Sequence, residues 1–373
     1  MIVSSINELT VFLKNNKNDT YIVGKGNYGQ LMKEWLKSMG IVCSGYIDKE
    51  ANENVEGEYN YSKIGNLVDQ SSIFIISSRI YKERMIDELL LRGVNIDNIV
   101  QFLNSEQYYD IVRASPQKKQ QVSGISQWHN KYCGDRCFII GNGPSLRLED
   151  VEKLTNEITF AVNNIYGFYK YTTWRPTFYC FTDPSLSKTF LSDLVLFKSI
   201  TNDCKAVFTS VMNPVALSNY SNNMYYFIYE DYEKGVQFSE DCAYKVCAAG
   251  TVIYCAIQLA FYMGFNEIYF LGMDFNYNVV RHIDGSIVTQ NIENHPKELE
   301  DVEDEATTKR IIEDYGYSYM ADVDIQLDGY KNTKKHADKV GAVVKNATRG
   351  GKLEVFPRID FDNLMESIEN EKG

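Results

Sequence analysis

Residues whose types and spacing could do chemistry fall in four stretches. The first is Gly24-Lys25-Gly26-Asn27-Tyr28-Gly29, a GxGxxG between an apolar run and an amphipathic one, with Asp48 closing the next apolar run. Such a turn lets backbone approach a pyrophosphate at a helix start, and the carboxylate suits a ribose hydroxyl. Three readings stay open for Gly24, Gly26, Gly29 and Asp48: bound NAD, another nucleotide or sugar nucleotide, or a tight turn without ligand. The second stretch is Gly141-Asn142-Gly143-Pro144-Ser145-Leu146, entered from the apolar Cys137-Phe138-Ile139-Ile140. Its glycines permit positive φ, Pro144 presets a turn, and Ser145 fits an N-cap or a phosphate donor. No Gly-Lys-Ser or Gly-Lys-Thr ending follows, so it is not a P-loop. The expectation is a phosphate-binding turn between strand and helix, a ligand-free connection being the alternative.

The third set is a series of polar strand ends: Asn163 and Asn164; Thr182 and Asp183, before Pro184 and Ser185; and Asp274 in Met273-Asp274-Phe275. In an open parallel sheet ligands lie beyond the carboxyl ends of strands, so these groups are expected to meet the Gly-Asn-Gly turn in one crevice, although each alone fits a helix cap. The fourth is Asn346-Ala347-Thr348-Arg349-Gly350-Gly351-Lys352, where Thr348 and Arg349 could clamp a phosphate or carboxylate. A basic surface turn explains that stretch equally well. Of the four histidines, His282 and His295 lie in an acidic segment after Asp274, where a general base could reach a ligand at the strand ends. His129 reads as a linker residue and His336 as a solvated residue of a Lys-rich helix.

Positioning these groups takes two α/β alternations. Residues 19–23, 41–48, 71–78 and 98–102 read as strands with helices between, about half the strand count of a full doubly wound fold. The stretch 103–130 turns polar around Ser115-Pro116-Gln117-Lys118, which marks a linker. A second alternation runs through the strand-like segments at 136–140, 157–164, 176–183, 205–211, 224–230 and 266–275. An apolar helix is expected at 251–264, and a last helix and strand at 332–349 precede a helix beginning near Asp360. Residues 279–319 are acidic without apolar periodicity and read as a lid or long insertion with a helical piece. The expected architecture is two Rossmann-like open parallel-sheet domains: a module over 1–105, a linker over 106–131, and a larger domain over 132–373.

Composition narrows the partners. A net charge of −12 opposes nucleic acid and anionic lipid, but backbone donors at a helix start still admit a phosphorylated small molecule. Eight cysteines without paired CxxC units or zinc-spaced histidines read as reduced, mostly buried thiols, which suggests a cytoplasmic location. No signal peptide and no apolar run of membrane-spanning length is expected, and the oligomeric state is left open.

At Gly141–Leu146, Val162-Asn163-Asn164, Thr182–Leu186, Gly264–Phe275 and Asn346–Phe356 the chain resembles the superfamily of the bacterial sialyltransferases, glycosyltransferase family 42. That superfamily also holds motility-associated flagellin glycosyltransferases and 6-hydroxymethylpterin pyrophosphokinase-like proteins. The likeness covers residues 132–360. It implies a modified GT-A-type domain that takes a CMP-activated nonulosonic acid without an obligatory metal or other cofactor. Asn142 and Gly143 would lie against the cytidylate, Asn163 near the same nucleotide, and Ser185 after a second donor-contacting turn. Two departures stand out. Asp183 replaces the Asn that precedes Pro-Ser in the sialyltransferases and would repel a phosphate unless protonated or turned to a sugar hydroxyl. The His-Ser-Lys segment that carries their base has no counterpart, and His295 in Asn294-His295-Pro296 resembles the Asn-His-Phe of the pyrophosphokinase-like branch. The first hundred residues resemble a Rossmann-type module found ahead of sugar-modifying enzymes. The resemblance thus implies transfer of a sugar from a CMP-sugar to a glycan acceptor, with His295 or His282 as base. The alternatives are Mg²⁺-dependent pyrophosphoryl transfer from ATP, in which Asp183 and Asp274 would suit the metal, and a non-catalytic nucleotide-sugar-binding protein.

Overall fold

The computed structural model describes residues 1–52, 54–78, 81–102, 106–217, 223–232, 234–277, 279–281, 287–289, 295–296, 299 and 323–372. The chain divides into two compact units, Met1–Gln121 and Val122–Gly373.

The first unit runs β1 (Ile2–Val3), α1 (Ile6–Asn15), β2 (Thr20–Val23), α2 (Asn27–Ser38), β3 (Gly45–Ile47), β4 (Glu58–Tyr59), β5 (Ile73–Ile76), α3 (Lys82–Leu90), β6 (Ile99–Phe102), α4 (Glu106–Ala114) and α5 (Pro116–Ser123), the last crossing into the second unit. Its sheet has the order β1-β6-β5-β2-β3-β4, parallel throughout. Two short edge strands, β1 and β4, add to the four read from the sequence. β2 and β5 are buried along their whole length, which is why Thr-Tyr-Ile-Val and Ile-Phe-Ile-Ile read as continuous rather than alternating patterns.

The expected linker over 106–131 is instead helical. In α4, Tyr108, Tyr109, Ile111 and Val112 are buried, and the Tyr108 hydroxyl donates to the Ile76 carbonyl at 2.8 Å. A short 3-10 turn, Gly124–Trp128, sends Ile125 and Trp128 into the core of the second unit. Scattered polar residues hid this, because tyrosines and single aliphatics supply the buried face.

The second unit continues with β7 (Arg136–Ile140), α6 (Leu148–Lys153), β8 (Thr159–Val162), β9 (Phe178–Cys180), α7 (Pro184–Ser192), α8 (Leu194–Asn202), β10 (Ala206–Ser210), β11 (Met224–Phe227), β12 (Tyr229–Glu230), β13 (Val246–Cys247), α9 (Val252–Tyr262), β14 (Glu267–Leu271), β15 (Val279–Arg281), β16 (Ile287–Thr289), α10 (Val323–Val340), β17 (Val343–Asn346) and α11 (Phe361–Lys372). Its main sheet is parallel, in the order β11-β10-β9-β8-β7-β14-β17. From β7 the chain steps outward through β8, β9, β10 and β11, then returns to the other side of β7 with β14 and β17. The order therefore reverses between β7 and β14, and in open α/β sheets that reversal opens the ligand crevice.

α9 is capped by Thr251, whose side chain accepts from the Ile253 amide, and is buried on nearly every side, as its apolar run, interrupted only by Gln258, predicts. The helical piece expected within 279–319 lies outside the described residues. Among the described residues no helix is long and apolar enough to cross a membrane. The eight cysteines are free, six of them buried, and burial pushes the Cys137, Cys180 and Cys242 thiols up.

Candidate functional site

The Gly-Asn-Gly turn leaves β7 at the reversal point and lies against the end of β14. The Gly141 amide donates to Leu271 O at 2.8 Å and the Gly143 amide to Gly272 O at 2.8 Å. The approach admits only glycine: a Cβ on Gly141 would stand 2.5 Å from Gly272 O, and one on Gly143 would stand 2.0 Å from Asp274 Oδ2. Gly272 has φ +65° and its own Cβ would meet Gly141 O at 2.5 Å, so both strand exits need the residue they have.

Asp274 is the buried centre of this arrangement. Its Oδ2 accepts from Ser145 Oγ at 2.8 Å and its Oδ1 from the Ser145 amide at 3.3 Å. Burial pushes its carboxyl above the ordinary value, against the Ser145 hydrogen bonds that pull it down. Ser145 is therefore held by the Asp274 carboxyl and does not cap α6. The cap position of α6 is Arg147, without a side-chain bond. The turn also has few amides to offer: those of Gly141, Gly143, Ser145 and Leu146 have acceptors within the fold, and Pro144 has none to give. The Asn142 N–H is the turn's one amide without such a bond among the described residues.

The turn and the neighbouring strand end present acceptors. Asn142 Nδ2 donates to Val162 O at 3.1 Å, which fixes the amide and leaves Asn142 Oδ1 buried without a hydrogen-bond partner among the described residues. Asn163, at φ +42°, likewise has a buried Oδ1 without a partner, while its main-chain oxygen accepts from the Tyr179 hydroxyl at 2.5 Å. A non-glycine residue in the left-handed region at a strand end is a strained feature that clusters at functional sites. Asn164 follows in the 3-10 turn Asn163–Lys170. His295 joins this group: its Nδ1 lies 2.8 Å from the main-chain oxygen of Asn142. That oxygen can only accept, so Nδ1 is the donor in this contact. His282 lies outside the described residues.

Thr182 and Asp183 follow β9, the Asp183 carbonyl accepting from the Ser187 amide in α7 at 3.2 Å, and Ser185 falls within that helix. Thr348 Oγ1 accepts from the Met273 amide at 3.0 Å and so braces the end of β14. Arg349 is engaged within the fold: its Nε and Nη2 form a fork onto Asp150 at 3.0 and 2.8 Å, and its guanidinium also meets Asp362 at 2.8 Å. These two partners hold the Arg349 proton far more tightly than usual, and Arg349 with Lys153 keeps Asp362 well below the carboxylate range. Arg349 therefore ties the β17 loop to α6 and α11. Asp150, 2% exposed, was not singled out from the sequence, where it reads as an ordinary first-turn helix acid.

His336 also departs from expectation. Its ring stacks on Phe238 with centroids 4.4 Å apart and meets Phe261 edge-on, and burial pushes its pKa below the ordinary value. In the first unit, Asp48 Oδ2 accepts from the Lys25 amide at 2.8 Å and Oδ1 from the Glu50 amide at 2.9 Å, while Lys25 pairs with Glu58 at 2.7 Å. A Cβ on Gly29 would stand 2.0 Å from Gly24 O, whereas one on Gly26 would meet nothing within 4 Å. Asp48 thus helps hold the turn itself. No group of three or more His, Cys, Asp or Glu side chains is placed to hold a metal among the described residues.

Residues 111–280 match a family model described as 6-hydroxymethylpterin diphosphokinase MptE-like, just under half of the 373-residue chain. No curated protein matches the sequence. Among solved structures, the MAf glycosyltransferase from Magnetospirillum magneticum AMB-1 is 13% identical with a TM-score of 0.38, the match covering 95% of this chain and 60% of that one. The sialyltransferase CstII from Campylobacter jejuni is similar over 60% of this chain and 86% of its own, at 14% identity and TM-score 0.34, in complex with the substrate analogue CMP-3FNeuAc. The same enzyme in complex with cytidine-5'-monophosphate is 17% identical with a TM-score of 0.33, over 61% of this chain and 85% of its own. The chain thus spans 60% of the length of the MAf glycosyltransferase.

Proposed function

We propose that the second unit is a glycosyltransferase of modified GT-A type that moves a sugar, sialic-acid-like in character, from a CMP donor to a glycan acceptor by direct displacement. The observation that carries this reading is the His295 imidazole 2.8 Å from the Asn142 carbonyl, together with the buried side-chain oxygens of Asn142 and Asn163, which have no partner among the described residues. Nε2 takes the proton of the acceptor hydroxyl as that oxygen attacks the anomeric carbon and the cytidylate phosphate departs. The two amide oxygens take ligand N–H or O–H donors, which recovers hydrogen bonds whose absence costs about 1–3 kcal/mol each in a buried setting. They suit a base edge or ribose, not a phosphate. The protein would work in the cytoplasm without a metal, its first unit holding a nucleotide or serving as an accessory module.

Incubation with CMP-sugars and glycan acceptors tests this. Transfer or donor hydrolysis is expected, with His295→Asn losing at least about 10²-fold in turnover. An absence of both activities, or an unchanged His295→Asn enzyme, overturns the assignment. The match of residues 111–280 to the MptE-like model favours a second reading, pyrophosphoryl transfer from ATP to a hydroxymethyl group. Stabilisation by ATP with Mg²⁺ in preference to CMP would put that reading first.

A further inference from the structure

The loop after β17 folds back on the end of β14, and one arginine holds it there. Arg358 Nη1 donates to the carbonyls of Thr348 and Gly350, and Nη2 donates to Gly351 O at 3.0 Å. Arg358 is itself seated by main-chain bonds on either side, Asn346 N to Pro357 O at 2.8 Å and Ile359 N to Asn346 O at 3.1 Å. Glu354 accepts from the same guanidinium but is mostly exposed.

The loop so held presses on Asp274. The Lys352 amide donates to Asp274 O at 2.7 Å, and Gly351, at φ +75°, lies so close that a Cβ would stand 2.6 Å from that oxygen. Thr348 Oγ1 receives the Met273 amide at 3.0 Å. The main chain of Met273 and of Asp274 is therefore fixed from the loop, and the Asp274 side chain in turn holds Ser145 by its hydroxyl and its amide.

We infer that Arg358 is a positioning residue for the Gly-Asn-Gly turn, acting through the carbonyls of residues 348–351 and then through Asp274. The ligand consequence rests on the nucleotide reading above; the mechanical linkage does not. A lysine keeps the charge of Arg358 but cannot fork onto three carbonyls, because an ammonium lacks the planar spread of donors. The surrounding strands, paired along their length, do not depend on it.

The test compares Arg358→Lys with Glu354→Gln in the full chain, by amide hydrogen exchange without nucleotide and by CMP affinity. In Arg358→Lys the Ser145, Met273 and Lys352 amides are expected to exchange about tenfold faster, the amides of β7 and central β14 at the wild-type rate, and CMP to bind about tenfold more weakly. The pH at which CMP affinity changes through Asp274 should stay put in Arg358→Lys and move up in Arg358→Met. Glu354→Gln should alter none of these. Unchanged exchange at the three amides overturns the linkage, as does faster exchange spread evenly through β7 and β14, which would mean general loss of stability. Faster local exchange with undiminished CMP affinity overturns the positioning role. If the wild type does not bind CMP, the donor assignment falls and the exchange pattern alone decides the linkage.

Discussion

Replacing Arg349 by Met separates a ligand clamp from a structural tie. Asp150 is 2% exposed and faces the guanidinium in a two-pronged pair, so Met leaves a buried carboxylate with neither of its charged hydrogen bonds. Breaking a fully buried pair costs about 3–5 kcal/mol, and the Arg349 side chain is 22% exposed, so screening lowers the expected loss to roughly 2–4 kcal/mol. For a unit of this size each kcal/mol shifts the melting temperature by about 2–4 °C, which predicts a fall of roughly 5–15 °C. Calorimetry of the full chain reads this directly. Arg349→Met with Asp150→Asn should recover part of the loss, because the unpaired charge is then gone. CMP affinity, measured where the variant is still folded, should stay within about twofold of wild type. An unchanged melting temperature together with lost CMP binding would refute the argument and return Arg349 to the ligand.

Gly143→Ala should destabilise by about 1–3 kcal/mol, because its Cβ would stand 2.0 Å from Asp274 Oδ2 and 2.7 Å from Gly272 O; a neutral result in urea melts would contradict the close approach. Gly26→Ala, which meets nothing within 4 Å, should leave stability within about 0.5 kcal/mol, and any NAD binding lost in that variant would mark the space above Gly26 as a ligand position. Burial raises the Asp274 carboxyl above 3.8, so its contribution is full below that pH and is lost as pH rises through the folded value. Asp274→Asn should therefore gain on wild type across that rise, and a pH-independent difference between the two would contradict it. His336, pushed below 6.5 by burial, contributes fully above that pH and loses its contribution as pH falls through the lower folded value. His336→Phe should remove that acid-side loss, which melts on both sides of pH 6.5 would detect.

Much of the framework was legible because buried parallel strands leave a strong mark. Phe138-Ile139-Ile140, Phe160-Ala161-Val162 and Ile268-Tyr269-Phe270-Leu271 are apolar on both faces, each followed by a glycine or a polar pair, and all are strands where expected. Periodicity failed where burial came from other means. In α4 two tyrosines carry the buried face, and in α10 it is carried by Gln326, Gly329, Tyr330, Thr333 and Ala337, which no hydrophobic pattern picks out. Gly329 is needed there because a Cβ would stand 2.7 Å from that of Ala249, a constraint visible only once the helix is docked.

The site was legible as a place but not as chemistry, for a physical reason. Glycines and a serine at a strand exit announce close backbone approach, but they do not say what approaches. Here it is the end of β14, with Gly272 and the Asp274 carboxylate, which engage the amides of Gly141, Gly143 and Ser145 and leave that of Asn142. Arg349 misled in the same way: a guanidinium after a strand looks available until a carboxylate from a remote helix, Asp150, is found under it. The crevice holds two buried amide oxygens that have no partner among the described residues, acceptors that favour ligand donors over ligand anions. On that balance the base and sugar of a nucleotide should contribute more affinity than its phosphate, so cytidine should retain most of the affinity of CMP, and inorganic phosphate should compete poorly with either.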